Sequence, residues 1–219
     1  MSPTQAPPPT SHPETRACLI EAALTCFAKD GYDATSIRTI SSAADKNSSL
    51  IAYYFKNKEG LYREVIKYLL DRFNPGPLQN GPEPGPADPA DGRSRLRAHI
   101  RRLLSEVEAH FHSVDPLKDA AARLFLSEIH APKDEVKDLL QARLEPSVRE
   151  LRSCIRALRP GLSPAEVDFW GITIQGSCVS HALRSEINRL VWTEAAPHLP
   201  LDEMADRLTD FVCRGLAQP

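Results

Sequence analysis

The stretch "ADKNSSLIAYYFKNKEGLY", residues 44–62, joins two kinds of sequence that an ordinary helix does not combine. Three small polar residues, Asn47 to Ser49, stand in a row and are followed at once by aliphatic and aromatic side chains. Ile51 and Phe55 are four residues apart, so a helix places them on one face. The stretch therefore predicts a short helix with a small, polar first turn and an apolar face that anchors it to a domain.

Two more helices are predicted ahead of this one. Apolar residues at three- and four-residue steps indicate a first helix from about Glu14 to Lys29. Thr35 is expected to cap a short helix from Ser36 to about Ala44, and Asn47 to cap another from Ser48 to Phe55. A pair of short helices joined by a tight turn is typical of a helix-turn-helix.

In a helix-turn-helix the second short helix lies in the major groove of DNA. Its first residues must be small or polar, as Ser48 and Ser49 are, because bulky side chains would hold the helix away from the base edges. Tyr53 and Tyr54 can reach phosphates through their hydroxyls, and Lys58 adds a positive charge at the start of the next helix. The pattern predicts a surface that binds double-stranded DNA.

Residues 16–62 resemble the DNA-binding domain of the TetR family of bacterial repressors. The segment "FAKDGYDATSIRTISSAADKNSSLIAYYFKNKEGLY", residues 27–62, is similar to the family's F-x-x-x-G-[FY] start and its L-Y-Y-[HY]-F-x-[SN]-K-E-x-L end. The resemblance implies contacts with bases from the first turn of the second short helix and contacts with phosphates around it. The implied DNA-binding residues are Thr35, Ser36, Arg38, Asn47, Ser48, Ser49, Leu50, Tyr53, Tyr54 and Lys58.

The sequence departs from the family pattern at the turn. Asp45 and Lys46 stand where the family usually has Gly-Val, and Ala52 replaces the usual Tyr or Asn. Asp adopts positive φ more readily than most residues, and Lys46 fits a core position only if its stem packs and its amine reaches solvent. Residues 14–73 carry nine Lys or Arg against eight Asp or Glu, so we expect modest non-specific affinity for DNA.

The rest of the chain predicts a larger helical domain. Residues 74–92 contain six prolines and four glycines, which indicates a loop. Five longer helices are expected after it: Arg93–His112, Pro116–His130, Asp134–Leu158, Ser163–Arg189 and Leu201–Leu216. The predicted fold is all-α, with a disordered arm (residues 1–13), a three-helix DNA-binding domain (residues 14–60) and a helical-bundle ligand-binding and dimerisation domain (residues 61–219).

"LFLSEIHAPKDEVKDLLQARLEPSVREL", residues 124–151, and "QGSCVSHALR", residues 175–184, resemble the CecR-type C-terminal domain of some TetR-family members. The resemblance implies that the last two long helices pair with those of a second subunit, giving a homodimer on a palindromic operator. It also implies a pocket for a small, apolar effector, although core or dimer packing would explain the same residues. The candidate ligand-binding residues are Leu103, Val107, Phe111, Phe125, Ile129, Trp170, Ile174, Gln175, Cys178 and His181.

Other functional classes find less support in the sequence. No P-loop, dinucleotide-binding, nucleophile-elbow or metalloprotease motif occurs, and no His pair is spaced four apart, so we expect no enzyme activity, no cofactor and no metal. No run of 18 apolar residues occurs, so we expect no membrane span. The five cysteines suit a reduced, cytoplasmic protein, and a redox-sensing repressor is a variant of the favoured function. A helical ligand- or partner-binding protein with a degenerate DNA-binding head remains the main alternative, because of the unusual turn and the near-neutral head.

Overall fold

The computed structural model describes residues 12–72, 89–111, 115–182 and 199–217. Within these ranges it contains nine α-helices, one short 3-10 helix and no strand, so the predicted all-α class is confirmed. The α-helices are α1 (His12–Ala34), α2 (Ile37–Ala43), α3 (Ser49–Phe55), α4 (Lys58–Arg72), α5 (Pro89–Phe111), α6 (Pro116–His130), α7 (Lys137–Leu158), α8 (Pro164–Ala182) and α9 (Leu201–Leu216); the 3-10 helix is Asp134–Val136.

The predicted bounds of α6 and α9 are confirmed. Helix α5 begins at Pro89, so the predicted start at Arg93 is wrong; proline suits a first helical turn because its fixed φ is already helical. The predicted extension of α8 to Arg189 and most of the predicted loop, residues 74–88, lie outside the described residues, as do residues 1–11 of the predicted arm.

The first compact unit comprises the described parts of residues 1–75 and 114–140. Helix α1 packs against α2, α4 and α6, and α3 packs against α4. The predicted domain boundary between residues 60 and 61 falls inside α4, whose apolar side chains belong to this core. Fully buried members of the core include Leu19, Leu24, Phe27, Ile40, Ile51, Leu61, Tyr62 and Val65. Helices α1, α2 and α3 therefore share one core with α4 and α6.

The junction between α1 and α2 depends on a glycine and a serine. Gly31 has φ 78° and ψ 166°, a conformation that L side chains rarely adopt, and it interrupts the regular turns of α1. The prediction that Thr35 caps α2 is wrong. Ser36 is the cap, because its Oγ accepts a hydrogen bond from the backbone N–H of Thr39 at 3.0 Å.

The turn between α2 and α3 forms with Asp45 and Lys46 in place. Asp45 has φ 51°, as expected for a residue at a position where glycine is common. The N–H of Lys46 donates to the carbonyl oxygen of Ser41 at 2.9 Å, and the Lys46 side chain is half-buried. Asn47 Oδ1 then accepts from the N–H of Ser49 at 2.9 Å, which fixes the start of α3.

The joint between α3 and α4 is tight. The N–H of Asn57 donates to the carbonyl oxygen of Phe55 at 2.9 Å, across Lys56 with φ 69° and ψ −53°. Asn57 Oδ1 accepts from the N–H of Gly60 at 2.7 Å. A Cβ on Gly60 would lie 2.0 Å from the carbonyl oxygen of Phe55, so only glycine allows the end of α3 to sit this close to α4.

The second compact unit comprises the described parts of residues 76–113 and 141–219. Its core joins α5, α7, α8 and α9 through buried apolar side chains that include Leu96, Ile100, Leu104, Leu151, Ile155, Val167, Ile174 and Val212. The predicted capping box at the start of α8 is confirmed, since Ser163 and Glu166 bond each other's backbone N–H groups at 2.7 and 3.3 Å.

An exposed ladder of ion pairs runs between α5 and α9. Arg93 pairs with Asp210, Arg97 with Asp206 at 2.5 Å, and Arg101 with Asp202 at 2.8 Å. As the numbers rise along α5 they fall along α9, so the two helices are antiparallel. The ladder adds little free energy at exposed positions, but it fixes the register of the two helices.

Candidate nucleic-acid interface

Helix α3 separates anchoring side chains from outward ones. Ile51 is fully buried and Phe55 is 4% exposed, whereas Tyr53 is 70% exposed. Ser48 and Ser49, at the start of the helix, are also exposed. The helix is therefore held by its apolar face and presents a small, polar first turn together with a protruding tyrosine.

The other predicted DNA-binding residues divide by exposure. Ser36, Arg38 and Asn47 are exposed together with the residues of the first turn of α3. Leu50, Tyr54 and Lys58 are half-buried, and the first two pack against the core of the unit. The rings of Tyr53 and Tyr54 meet edge to face with centroids 4.9 Å apart, so each orients the other.

Thr35 is the predicted DNA-binding residue that the structure places in the interior. Its side chain is 2% exposed. Its hydroxyl lies 2.7 Å from the carbonyl oxygen of Gly31 and 3.3 Å from that of Cys26, so it satisfies carbonyl groups at the end of α1. The hydroxyl of Thr35 supports the α1–α2 junction and does not face outward.

Lys58 is held by the end of α1. Its Nζ lies 4.4 Å from the centroid of the Tyr32 ring and donates to the carbonyl oxygen of Asp33 at 3.4 Å. Lys133 approaches the same ring at 5.5 Å and pairs with the Asp33 carboxylate at 3.0 Å. A phosphate contact by Lys58 would thus replace contacts that this structure already gives its amine.

A buried carboxylate on α6 binds Tyr62 of α4, the helix that packs against α3, and the sequence did not predict it. Glu128 on α6 is 2% exposed and accepts a hydrogen bond from the hydroxyl of Tyr62 at 2.6 Å. Its other oxygen accepts from the N–H of Lys133 at 3.0 Å. Burial, and next the hydrogen bond to Glu128, raise the pKa of Tyr62 far above its usual value, so the phenol remains a donor. No period in the sequence distinguishes Glu128 from a surface glutamate.

The predicted ligand-binding residues fall in both units. In the second unit, Ile174 and Cys178 are buried in the core, Leu103, Val107 and Trp170 pack against it, Gln175 is half-buried and His181 is exposed. In the first unit, Phe125 packs against the core and Ile129 is 46% exposed. The side chain of Phe111 lies outside the described residues.

A small cavity lies beside the two buried residues of this set. It has a volume of about 10 Å³, and its walls include Ile174 and Cys178. Residues absent from the predicted set complete its lining: Ile100, Thr173, Ser177, Leu208, Phe211 and Val212. A volume of this size holds one water molecule, whereas pockets for small ligands measure about 300–1,000 Å³.

Trp170 has a packing role in this unit. A Cβ on Gly215 would lie 2.3 Å from the Trp170 ring, so glycine on α9 makes room for the indole of α8. The predicted ligand-binding residue therefore packs directly on the backbone of a neighbouring helix.

The second unit also contains a buried polar cluster that sequence reasoning missed. His99 is fully buried; its Nδ1 lies 3.2 Å from Glu150 and 2.9 Å from Arg102. The hydrogen bond from His99, with support from Arg102, lowers the pKa of Glu150 to about 2. Nε2 of His99 has no hydrogen-bond partner among the described residues. His99 falls on the apolar stripe of α5 between Leu96 and Ile100, which is the only sequence signal for its burial.

Two cysteines, Cys154 and Cys178, lie buried in the core of the second unit. Burial raises the pKa of the Cys154 thiol to about 11 and that of Cys178 to about 12, so both thiols stay protonated. No group of three or more His, Cys, Asp or Glu side chains there is arranged to hold a metal ion. Among the described helices, none combines the length and apolar character needed to cross a membrane.

Two parts of the sequence match known families. Residues 19–65 match the family described as "Bacterial regulatory proteins, tetR family". Residues 92–216, more than half of the chain, match "HTH-type transcriptional dual regulator CecR, C-terminal domain". The chain belongs to the TetR family of bacterial regulatory proteins. The resemblance predicted from residues 16–62 is confirmed, as is the CecR-type C-terminal domain.

Individual relatives match over shorter stretches. The chain is 35% identical to YttP of Bacillus subtilis and 37% identical to the HTH-type transcriptional repressor NicS of Pseudomonas putida, over 60 residues in each case. These matches cover 27% of this chain, 29% of YttP and 28% of NicS. The chain thus spans under a third of the length of these two relatives.

The likeness to a solved structure covers most of this chain. A crystal structure of AibR in complex with isovaleryl coenzyme A and operator DNA aligns with a TM-score of 0.58, covering 90% of this chain and 97% of that one. The two sequences are 18% identical, so this likeness concerns the fold alone.

Proposed function

We propose that this protein is a DNA-binding transcriptional regulator, acting as a homodimeric repressor that responds to a small molecule. The observation that carries the proposal is the two-sided α3. Ile51 and Phe55 fix the helix to its unit, while Ser48, Ser49 and Tyr53 remain outside. An exposed, small first turn on a rigidly anchored helix is what entry into the major groove requires.

The proposed contacts follow from the exposed residues around α3. Arg38, Ser48 and Ser49 read base edges, and Ser36 and Tyr53 contact phosphates. Thr35 contributes to this surface only by holding the α1–α2 junction, since its hydroxyl is turned inward.

The proposed dimer uses the outer faces of α8 and α9. Phe169 is 63% exposed, Ile172 70% and Phe211 59%, and these three are among the most exposed large apolar side chains in the described residues. A protein partner that covered these side chains would remove their apolar surface from water, which favours association. A second copy of the same two helices would cover them and would place two DNA-reading helices on a palindromic site.

The proposed effector is a small molecule with an apolar body that binds the CecR-type domain. The likeness in fold to AibR, which was crystallised in complex with isovaleryl coenzyme A and operator DNA, supports a small-molecule effector for this chain. The cavity of about 10 Å³ beside Ile174 is too small to admit it. Binding would therefore favour a wider conformation of this unit, and the equilibrium would shift by the difference in affinity between the two conformations.

A selection from random double-stranded DNA with the full-length protein tests the proposal. We expect an enriched palindromic sequence, and Arg38→Ala should weaken its binding by about 1–3 kcal/mol in an anisotropy titration, as for the loss of one base contact. Arg156→Ala, an exposed arginine on α7, is the matched control and should bind as the unchanged protein does. Failure to enrich any sequence, or to bind DNA at low salt, would contradict the proposed function.

A further inference from the structure

Lys56, with φ 69°, is one of two non-glycine residues with positive φ in the described chain, and Asp45 is the other. We propose that Lys56 is an additional contact with the DNA backbone, carried by a strained turn at the end of the reading helix. No resemblance assigns this residue a role, and its neighbour Lys58 is the lysine expected to bind phosphate. The inference rests on the proposed DNA-binding function and adds one cation to the same surface.

The turn at Lys56 is strained. With φ 69° and ψ −53°, and with the N–H of Asn57 bonded to the carbonyl oxygen of Phe55 at 2.9 Å, Lys56 is the central residue of a γ-turn with positive φ. This form of turn is rare for residues that carry a Cβ, and glycine adopts it without the steric penalty. Residues held in such conformations concentrate at binding sites and switch regions.

The amine of Lys56 is not engaged by the described residues. Its side chain is exposed, and it makes no ion pair with any described residue. Other lysines of the same unit are engaged: Lys67 pairs with Glu64 at 2.8 Å, and Lys133 pairs with Asp33 at 3.0 Å. The backbone strain at Lys56 is therefore not offset by a packing or ion-pair contact of its own side chain.

The position of Lys56 suits a phosphate. It directly follows α3, whose seven residues span about 10 Å, close to the roughly 12 Å width of the major groove. With Ser48 and Ser49 at the base edges, the opposite end of α3 approaches the edge of the groove, where the phosphates are. Tyr53, three residues earlier and 70% exposed, marks the same end of the helix.

Three substitutions separate the charge of Lys56 from the strain of its turn. Lys56→Gly removes both, Lys56→Gln removes only the charge, and Lys56→Arg keeps both. Full-length proteins are titrated against a mixed-sequence 30-base-pair duplex over a range of salt concentrations, and their melting temperatures are recorded. Lys118→Gln, an exposed lysine on α6, controls for the loss of a positive charge elsewhere in the unit.

We expect Lys56→Gly and Lys56→Gln to lower the salt slope of binding by about 0.9, so that a tenfold rise in salt weakens their binding about eightfold less than it weakens that of the unchanged protein. Lys56→Arg and Lys118→Gln should bind as the unchanged protein does. Lys56→Gly should melt at a higher temperature than Lys56→Gln, because only glycine relieves the turn.

Three results would overturn the proposal. An unchanged salt slope in Lys56→Gly and Lys56→Gln, with the unchanged protein binding the duplex, would show that the lysine makes no DNA contact. Weakened binding in Lys56→Arg equal to that in Lys56→Gln would show that the positive charge at this position does not bind the DNA backbone, because arginine keeps that charge. Absence of duplex binding by the unchanged protein at low salt would overturn the proposed function itself, and the contact with it.

Discussion

The two compact units of this chain are held together by different kinds of contact. In the first, polar and backbone atoms meet inside the core: Tyr62 bonds the buried Glu128, and Gly60 lets α4 approach the carbonyl oxygen of Phe55. In the second, the helices meet mainly through an apolar core, although His99 is buried there and Gly215 lies close to the Trp170 ring; most ion pairs, such as Arg97 with Asp206, lie on the surface. Buried hydrogen bonds and close contacts with the backbone require particular residues, whereas apolar packing tolerates many apolar side chains.

The largest expected effect is that of Gly60→Ala in the first unit. The new Cβ would lie 2.0 Å from the carbonyl oxygen of Phe55, which is a backbone atom that cannot turn aside. Either α3 or α4 must move, so we expect a loss of about 3 kcal/mol in the free energy of unfolding. DNA binding should fall as well, since the same contact positions α3. Urea denaturation followed by circular dichroism measures the first effect.

Gly171→Ala provides the matched control in the second unit. There a Cβ would meet only the Leu151 side chain at 4.0 Å, an ordinary contact, inside the helix α8. Alanine favours helix over glycine by about 1 kcal/mol, so this variant should be as stable as the unchanged protein or more so. Equal losses in the two variants would contradict the difference between the units.

A smaller effect is expected for Tyr62→Phe. The substitution keeps the buried ring and removes the hydroxyl that donates to Glu128, which leaves a buried carboxylate with one partner fewer. We expect a loss of about 1–3 kcal/mol in the free energy of unfolding, because a buried acceptor loses its hydrogen bond.

Tyr68→Phe is the control for this substitution. Tyr68 donates to Glu21 at the same distance, 2.6 Å, but Glu21 is half-buried and can bond water in its place. Its loss should be about 1 kcal/mol or less. If Tyr62→Phe and Tyr68→Phe unfold at the same urea concentration, the hydrogen bond to the buried Glu128 is no more stabilising than the one to the half-buried Glu21.

Sequence patterns predicted the parts of the fold that local rules determine. The helix-turn-helix, the all-α class and the bounds of α6 and α9 follow from apolar spacing, proline and capping residues, and the structure confirms them. The same spacing predicted that Ile51 and Phe55 lie on the inward face of α3, and both are buried. Which of them bind DNA stays a prediction, as does the effector site.

Features that depend on distant contacts were not predictable. The cap of α2 was assigned to Thr35 instead of Ser36 because adjacent Thr and Ser are equally good caps in sequence, and only the fold buries one of them. Glu128 looks like any helical glutamate until Tyr62 is brought to it. Lys56 looks like a surface lysine, because backbone strain leaves no mark in a sequence.

The smallest expected effect concerns the polar cluster around His99 in the second unit's core, and it depends on pH. The hydrogen bond from His99, together with Arg102, lowers the pKa of Glu150 from its usual value to about 2. Its carboxylate therefore stabilises the folded protein above about pH 4.5, and this contribution is lost as the pH falls toward 2. Glu150→Gln cannot titrate and should show a flatter decline.

Urea midpoints of the two proteins between pH 5 and about pH 2.5 measure this difference. The unchanged protein should be the more stable at pH 5, and its advantage over Glu150→Gln should shrink as the pH falls. Glu145→Gln, on an exposed position of the same helix, controls for the removal of one negative charge. A constant difference between the unchanged protein and Glu150→Gln across this range would show that the cluster holds no ionised carboxylate, and that the second unit depends on apolar packing alone.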